Sequence, residues 1–209
     1  RWKMTSKTSF PYKSKFLLAK TTPFQPANSP PKMLSRQSIR SFTTSTRRLF
    51  AQGDAIPSIA SLKEDSPGNS VDLAAETKQG KHIIVGVPGA FSPACSASHV
   101  PGFIKNIDQF KAKGYKVFVT GVNDSFVFKA WKDQLTNGKE IDGIRFVADP
   151  AGEFAKAGNL SVDAAPFFGN ERAKRFALIV EDGKVVKEIS EPDNFGLDVT
   201  SAEKILGEL

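Results

Sequence analysis

The chain has 209 residues, 40% of them hydrophobic, and a formal net charge of +7, which suits one domain of ordinary size with a real core and something extra. No apolar run approaches the ~18 residues of a membrane-spanning helix, and a lone cysteine excludes both an internal disulfide and a zinc site of the usual kind. The charge is lopsided: residues 1–50 hold 11 Lys and Arg and no Asp or Glu, leaving 18 basic against 22 acidic residues beyond them, so the folded part lacks the basic excess expected of a nucleic-acid-binding protein.

The first 50 residues are basic, Ser- and Thr-rich and free of acid, the composition of a mitochondrial transit peptide. Met4 and Met33 are candidate starts, and Arg36 and Arg40 lie on one face of any helix formed there. Arg48-Leu49-Phe50 before Ala51 resembles a matrix-protease cleavage site, so the folded domain is expected over 51–209 in the mitochondrial matrix. A disordered basic tail that binds an acidic partner is the alternative. Residues 1–32, with five prolines, are expected to be disordered.

Ala55–Leu62 and Ser70–Leu73 read as short extended segments around the turn cluster Ser66-Pro67-Gly68-Asn69. Lys81–Val87 is a buried strand. A loop carrying Cys95 follows, then a helix with apolar positions Val100, Phe103, Ile104, Ile107 and Phe110, kinked at Pro101 and ended by Gly114. Tyr115–Val122 is a second core strand. Asn123 or Asp124 caps a helix through Leu135, closed by Asn137-Gly138. Ile144–Ala148 is a third strand, and Asp149-Pro150 starts a short helix. Gly158–Lys174 reads as a loop. Arg175–Val180 and Lys184–Ile189 form a hairpin about Asp182-Gly183. Thr200 with Glu203 makes a capping box for the last helix. This order predicts an α/β fold, a mixed central sheet with helices on both faces.

The chemistry-bearing stretch is Gly86–Phe103, GVPGAFSPACSASHVPGF. Cys95 falls just past a strand, in the first turn of a helix, where unpaired amides and the positive dipole end favour thiolate. Pro88 and Pro93 bracket a stiff loop. Ser92 lies one helical turn before Cys95, so its hydroxyl can point at the sulfur. The amides of Ala94 and Cys95 can bind an oxyanion, and Arg172 or Arg175 can bring a guanidinium to stabilise the thiolate. Against this stand the ordinary readings. A lone cysteine is often a small buried hydrophobe, Ser92 alone is a helix cap, and His99 packs on a helix surface. His82 and Trp131 read as structural. Cys95 with His99 could also be a cysteine hydrolase.

The strings VPGAFSPACSASHVPGF, GVNDSFVFKAW, FVADPAGEFAK and KRFALIVEDG resemble the peroxiredoxins, in particular the atypical type-five subfamily with the plant type-II enzymes. The resemblance runs from about Gly53 to Leu209. It implies a thioredoxin-like fold with no cofactor or metal, and a peroxidase site. Cys95 would be the peroxidatic cysteine, Ser92 the hydroxyl that relatives more often supply from threonine, and Arg175 the catalytic arginine. Pro88 would shield the site from water, with His99, Phe168 and Ala94 at the substrate pocket. Relatives often carry a resolving cysteine, but Val119 and Val199 stand near those places here. A sulfenic acid on Cys95 would thus be resolved by an external thiol, from glutathione with or without glutaredoxin, or from thioredoxin. The resemblance implies an antioxidant enzyme acting on hydroperoxides, and a homodimer. A redox sensor or holdase that oxidises without turnover is the alternative.

Overall fold

The computed structural model describes residues 50–209; the leader expectations for Met4, Met33, Arg36, Arg40, Arg48 and Leu49 lie outside the described residues. Five strands form one mixed sheet in the order β3-β2-β1-β6-β7: β1 (Lys81–Gly86), β2 (Tyr115–Gly121), β3 (Ile144–Ala148), β6 (Phe176–Glu181) and β7 (Lys184–Ser190). β1 pairs parallel to β2, and β2 to β3. β6 runs antiparallel to β1 and forms a hairpin with β7. β1 is buried from His82 to Gly86 because both faces of the sheet are covered, which is why it reads as a continuous apolar run.

Alternate side chains feed two cores. Ile83 and Val85 join Phe103, Phe110, Trp131 and Ile205 on one face. Ile84 and Phe118 join Phe50, Leu62, Leu73 and Phe154 on the other. Phe50 is fully buried, with its ring 4.9 Å from that of Phe154. The packed domain therefore takes in the last residue of the segment read as leader. Among the described residues, no helix is long and apolar enough to cross a membrane.

Several expected elements differ. Ser70–Leu73 is not a strand: Ser70 makes only an isolated bridge to Lys63, and Asp72 caps a one-turn helix, α1 (Leu73–Glu76), by accepting from the amide of Ala74. The segment 55–62 contributes one bridge, Ala55 to Lys184. The helix after Cys95 begins as a π turn, Cys95–His99, in which the N–H of Val100 donates to the carbonyl of Cys95. Pro101 supplies the reason, since it has no N–H to continue the α ladder and crowds the preceding turn. Then come α2 (Val100–Lys105) and α3 (Ile107–Ala112), separated at Asn106, whose side-chain amide donates to the carbonyl of Gly102.

Asp124, not Asn123, caps α4 (Ser125–Thr136), and Asn137 ends it in the left-handed conformation. Pro150 does not open a helix; α5 (Glu153–Ala157) starts three residues later, and Asp149 accepts from the Ala155 amide within it. The expected loop at 158–174 is ordered by tertiary pairing into β4 (Ser161–Asp163), the single turn α6 (Ala165–Phe168) and β5 (Glu171–Ala173). Ser201, not Thr200, stands at the N-cap of α7 (Ala202–Gly207), because the Thr200 hydroxyl is drawn away to Glu191.

Candidate active site

The carboxyl end of β1 delivers the loop Val87–Ala94, and that loop turns into the helix carrying Cys95. Gly86 is the register partner of Phe176. Because β6 is antiparallel to β1, the residue before Phe176 enters the sheet at the same edge from which the Cys95 loop leaves. That residue is Arg175. Two positions 80 apart in sequence are thereby brought together, and Arg175 Nη1 donates to Cys95 Sγ at 3.3 Å. Both side chains are buried, and a cation at this distance in a low-dielectric setting stabilises negative charge on sulfur.

The guanidinium is held on all sides. Its Nε donates to the carbonyls of Phe195 and Gly196 at 3.1 and 2.7 Å, and Nη2 donates to Phe195 at 3.0 Å. Nη1 also donates to His99 Nδ1 at 2.9 Å. Of the five N–H hydrogens of an arginine, these contacts leave one on Nη2 for a ligand. His99 Nδ1 accepts, so the ring proton sits on Nε2 and is donated to the carbonyl of Thr200 at 3.1 Å. Burial, and then the Arg175 charge, push the His99 pKa down to about 3, against a slight rise from the Thr200 bond and Glu191. With both nitrogens engaged, the neutral ring has none left to deprotonate Cys95.

Ser92 does not point its proton at the sulfur; its hydroxyl donates to the Gly89 carbonyl at 2.8 Å, which leaves its oxygen lone pairs to accept a proton from a ligand. Pro88 is buried and has no N–H to compete there. Asn123, freed from the cap, accepts from the amide of Ala90 and so ties the loop to the end of β2. Trp131 donates to Ser96 Oγ at 2.9 Å and anchors the helix one residue past the thiol.

Above these residues lies an apolar pocket of about 600 Å³ lined by Pro88, Ala90, Phe91, Ser92, Pro93, Ala94, Phe167, Phe168, Arg175 and Phe195. Cys95 itself is fully buried, and its neighbour Ala94 and its donor Arg175 both line the pocket. Arg172, the other candidate cation, serves the wall instead. It lies 5.0 Å from the Phe168 ring centre, and its Nη1 donates to the carbonyl of Val122. Gly89 packs so closely that a Cβ there would come within 2.9 Å of the Phe168 ring.

Sequence reasoning missed Phe91, Phe195 and Glu191. Phe91 is half exposed with φ +60°, a strained conformation of the kind found at functional sites. Phe195 stands alone among polar residues, and each of these aromatics outside any strand or helix period was a readable signal. Glu191 carried none. It is buried, and its carboxyl is lowered below the usual range although burial opposes this; hydrogen bonds from Thr200, Asp198 and Val199 prevail.

The redoxin family's sequence pattern matches residues 51–206. The chain is 46% identical over 162 residues to "peroxisomal membrane associated protein 20" of Schizosaccharomyces pombe, covering 77% of this chain and all of that protein. It is 37% identical over 158 residues to peroxiredoxin-2D of Arabidopsis thaliana, covering 74% and 94%. Among solved structures it is similar to reduced Prx3 of Vibrio vulnificus in complex with H2O2, at 34% identity and TM-score 0.68, covering 76% of this chain and 99% of that one. It is also similar to peroxiredoxin 5 of Alvinella pompejana, at 33% identity and TM-score 0.61, covering 69% and 92%.

Proposed function

The chain belongs to the redoxin family and, within it, to the peroxiredoxins, which are thiol-dependent peroxidases; from that premise we propose that it reduces hydrogen peroxide and small alkyl hydroperoxides through Cys95 as its single redox centre. The observation that most supports this reading is the 3.3 Å contact with Cys95 Sγ of Arg175 Nη1, on a residue that lines an apolar pocket.

Arg175 and Ser92 bind the peroxide, with the spare Nη2 hydrogen donating and Ser92 Oγ accepting. The thiolate attacks the near oxygen, a new S–O bond forms and the O–O bond breaks. Sulfur loses two electrons, and the far oxygen leaves as alkoxide or hydroxide, which takes a proton from solvent. The near oxygen keeps its proton, so the product on the protein is Cys95 sulfenic acid. Charge grows on the leaving oxygen, and Arg175 with the first-turn amides of Ala94 and Cys95 stabilises it. Preorganisation lowers the barrier because the guanidinium is already immobile before the peroxide arrives.

An external thiol closes the cycle. It forms a mixed disulfide with Cys95 and releases water, and a second thiol then restores the thiolate. Glutathione, with or without glutaredoxin, is the reductant class favoured by a chain whose only cysteine is already in use; thioredoxin is the other. The acid-free, basic leader supports import into the mitochondrial matrix as a defence against oxidative stress. The exposed rim of Phe91 and Phe167 around the pocket mouth supports a homodimer paired through that face.

A donor panel tests the reading. Peroxide consumption is followed with glutathione, glutaredoxin and thioredoxin, each supplied with its own reductase. Sustained turnover with one donor, abolished by Cys95→Ser, is expected. Oxidation of Cys95 without turnover under any donor would leave the redox sensor or holdase instead.

A further inference from the structure

We propose that Glu191 is a positioning residue for the peroxide reaction, holding Arg175 on Cys95, and His99 on Arg175, through the segment 191–200. The proposal rests on the peroxidase reading above. Glu191 itself lies outside the pocket lining and touches no reacting atom.

Three donors converge on one of its oxygens. The amides of Asp198 and Thr200 lie 2.8 and 2.9 Å from Oε1, and the Thr200 hydroxyl lies at 2.7 Å. This carboxylate therefore ties the two ends of the segment together. The same segment grips Arg175 by its backbone: the Glu191 amide donates to the Arg175 carbonyl at 3.0 Å, and the Arg175 amide donates to Asn194 at 2.8 Å. Inside the segment, Asp193 Oδ1 accepts from the amides of Phe195 and Gly196. The carbonyls of those two residues face the guanidinium. At the far end, the Thr200 carbonyl accepts from His99, which in turn accepts from Arg175 Nη1. The guanidinium is thus fixed from two directions by groups on one segment, and Glu191 is where its ends meet.

Removing the carboxylate strands these donors, two of them on the fully buried Thr200, and such groups are costly to leave unpaired. The segment then opens, and Arg175 loses both its carbonyl cradle and its histidine brace. A displacement of about 1 Å in a group that orients the reacting atoms costs up to ~100-fold in rate.

The test compares Glu191→Ala, Glu191→Gln, Thr200→Val and Thr200→Ser with the unsubstituted protein. Three quantities are read: the stopped-flow rate of Cys95 oxidation by hydrogen peroxide per folded molecule, the pH dependence of Cys95 alkylation by iodoacetamide, and the Tm. Glu191→Ala is expected to lower the oxidation rate by ~10- to 100-fold and Thr200→Val by about tenfold, and both should move half-maximal alkylation to higher pH. Glu191→Gln and Thr200→Ser keep the acceptor and the hydroxyl, and should stay within about threefold. A folded Glu191→Ala or Thr200→Val that loses Tm but keeps the parent rate and alkylation profile overturns the proposal. If Glu191→Ala does not fold, Thr200→Val decides, since it removes one donor and keeps the volume. Alkylation needs no peroxide. An unsubstituted protein inert to peroxide would remove the peroxidase reading, while the alkylation profiles would still report whether Glu191 holds Arg175 at the sulfur.

Discussion

Arg175 serves two partners with one nitrogen, since Nη1 meets both Cys95 Sγ and His99 Nδ1. Replacing it with methionine keeps length and apolar bulk but removes charge and donors. Arg175→Met is expected to slow Cys95 oxidation by ~100-fold or more per folded molecule, measured by stopped-flow thiol loss; an unchanged rate would remove Arg175 from the chemistry. His99 predicts a pH effect on stability. In the fold it stays neutral down to about pH 3, whereas its ordinary value is 6.5. Between those limits the unfolded chain binds the extra proton. The contribution of His99 is therefore complete above about pH 6.5 and is lost as pH falls, by up to about 1.4 kcal/mol per unit. The stability gap between the parent and His99→Asn, measured by urea unfolding, should shrink from about pH 7.5 to about pH 5. A constant gap would contradict a ring that stays neutral in the fold.

At the scale of elements, the Cys95 helix is shaped by its prolines. Pro93 supplies no amide at the first turn, and Pro101 forces the π turn that carries Cys95 and His99 on one stretch of backbone. The adjoining loop is packed to contact by Gly89 under Phe168. A methyl at Gly89 has to displace that ring. Gly89→Ala is expected to raise the KM for a bulky hydroperoxide such as cumene hydroperoxide by ~10-fold, while changing the rate with hydrogen peroxide by less than about threefold. Equal effects on both substrates would mean that the loop, and not the pocket wall, had moved. The Pro-x-x-x-Ser-x-x-Cys spacing and the strand before it were readable, and so were the helix α4 and the β6–β7 hairpin, because each rests on local period and turn chemistry. The β4–α6–β5 segment was not, since three-residue strands exist only through each other.

For the whole molecule, the sheet order puts a parallel half carrying Cys95 beside an antiparallel half carrying Arg175. The core that holds Ile84 and Phe118 depends on Phe50, which fills the space beside Phe154 and Gly158. Phe50→Ala, or a chain beginning at Ala51, is expected to lose about 3 kcal/mol of unfolding free energy in urea titration. Retention of full stability would show that Phe50 is dispensable. Processing that spares the domain would on this ground leave Phe50 in place, which N-terminal sequencing of the cellular protein can read.

Local physics in the sequence was enough to determine the thiol, its helix, its proline-stiffened loop and the alternation of strands and helices. Each depends on residues within a few positions of one another. Only the tertiary structure decided how Arg175 reaches the sulfur, that Ser92 turns its proton to Gly89, and that His99 braces Arg175. Those outcomes depend on the Gly86–Phe176 register and on a buried glutamate that closes a distant segment. Hydrogen bonds across a fold are set by where the backbone returns, and no nearby residue encodes that.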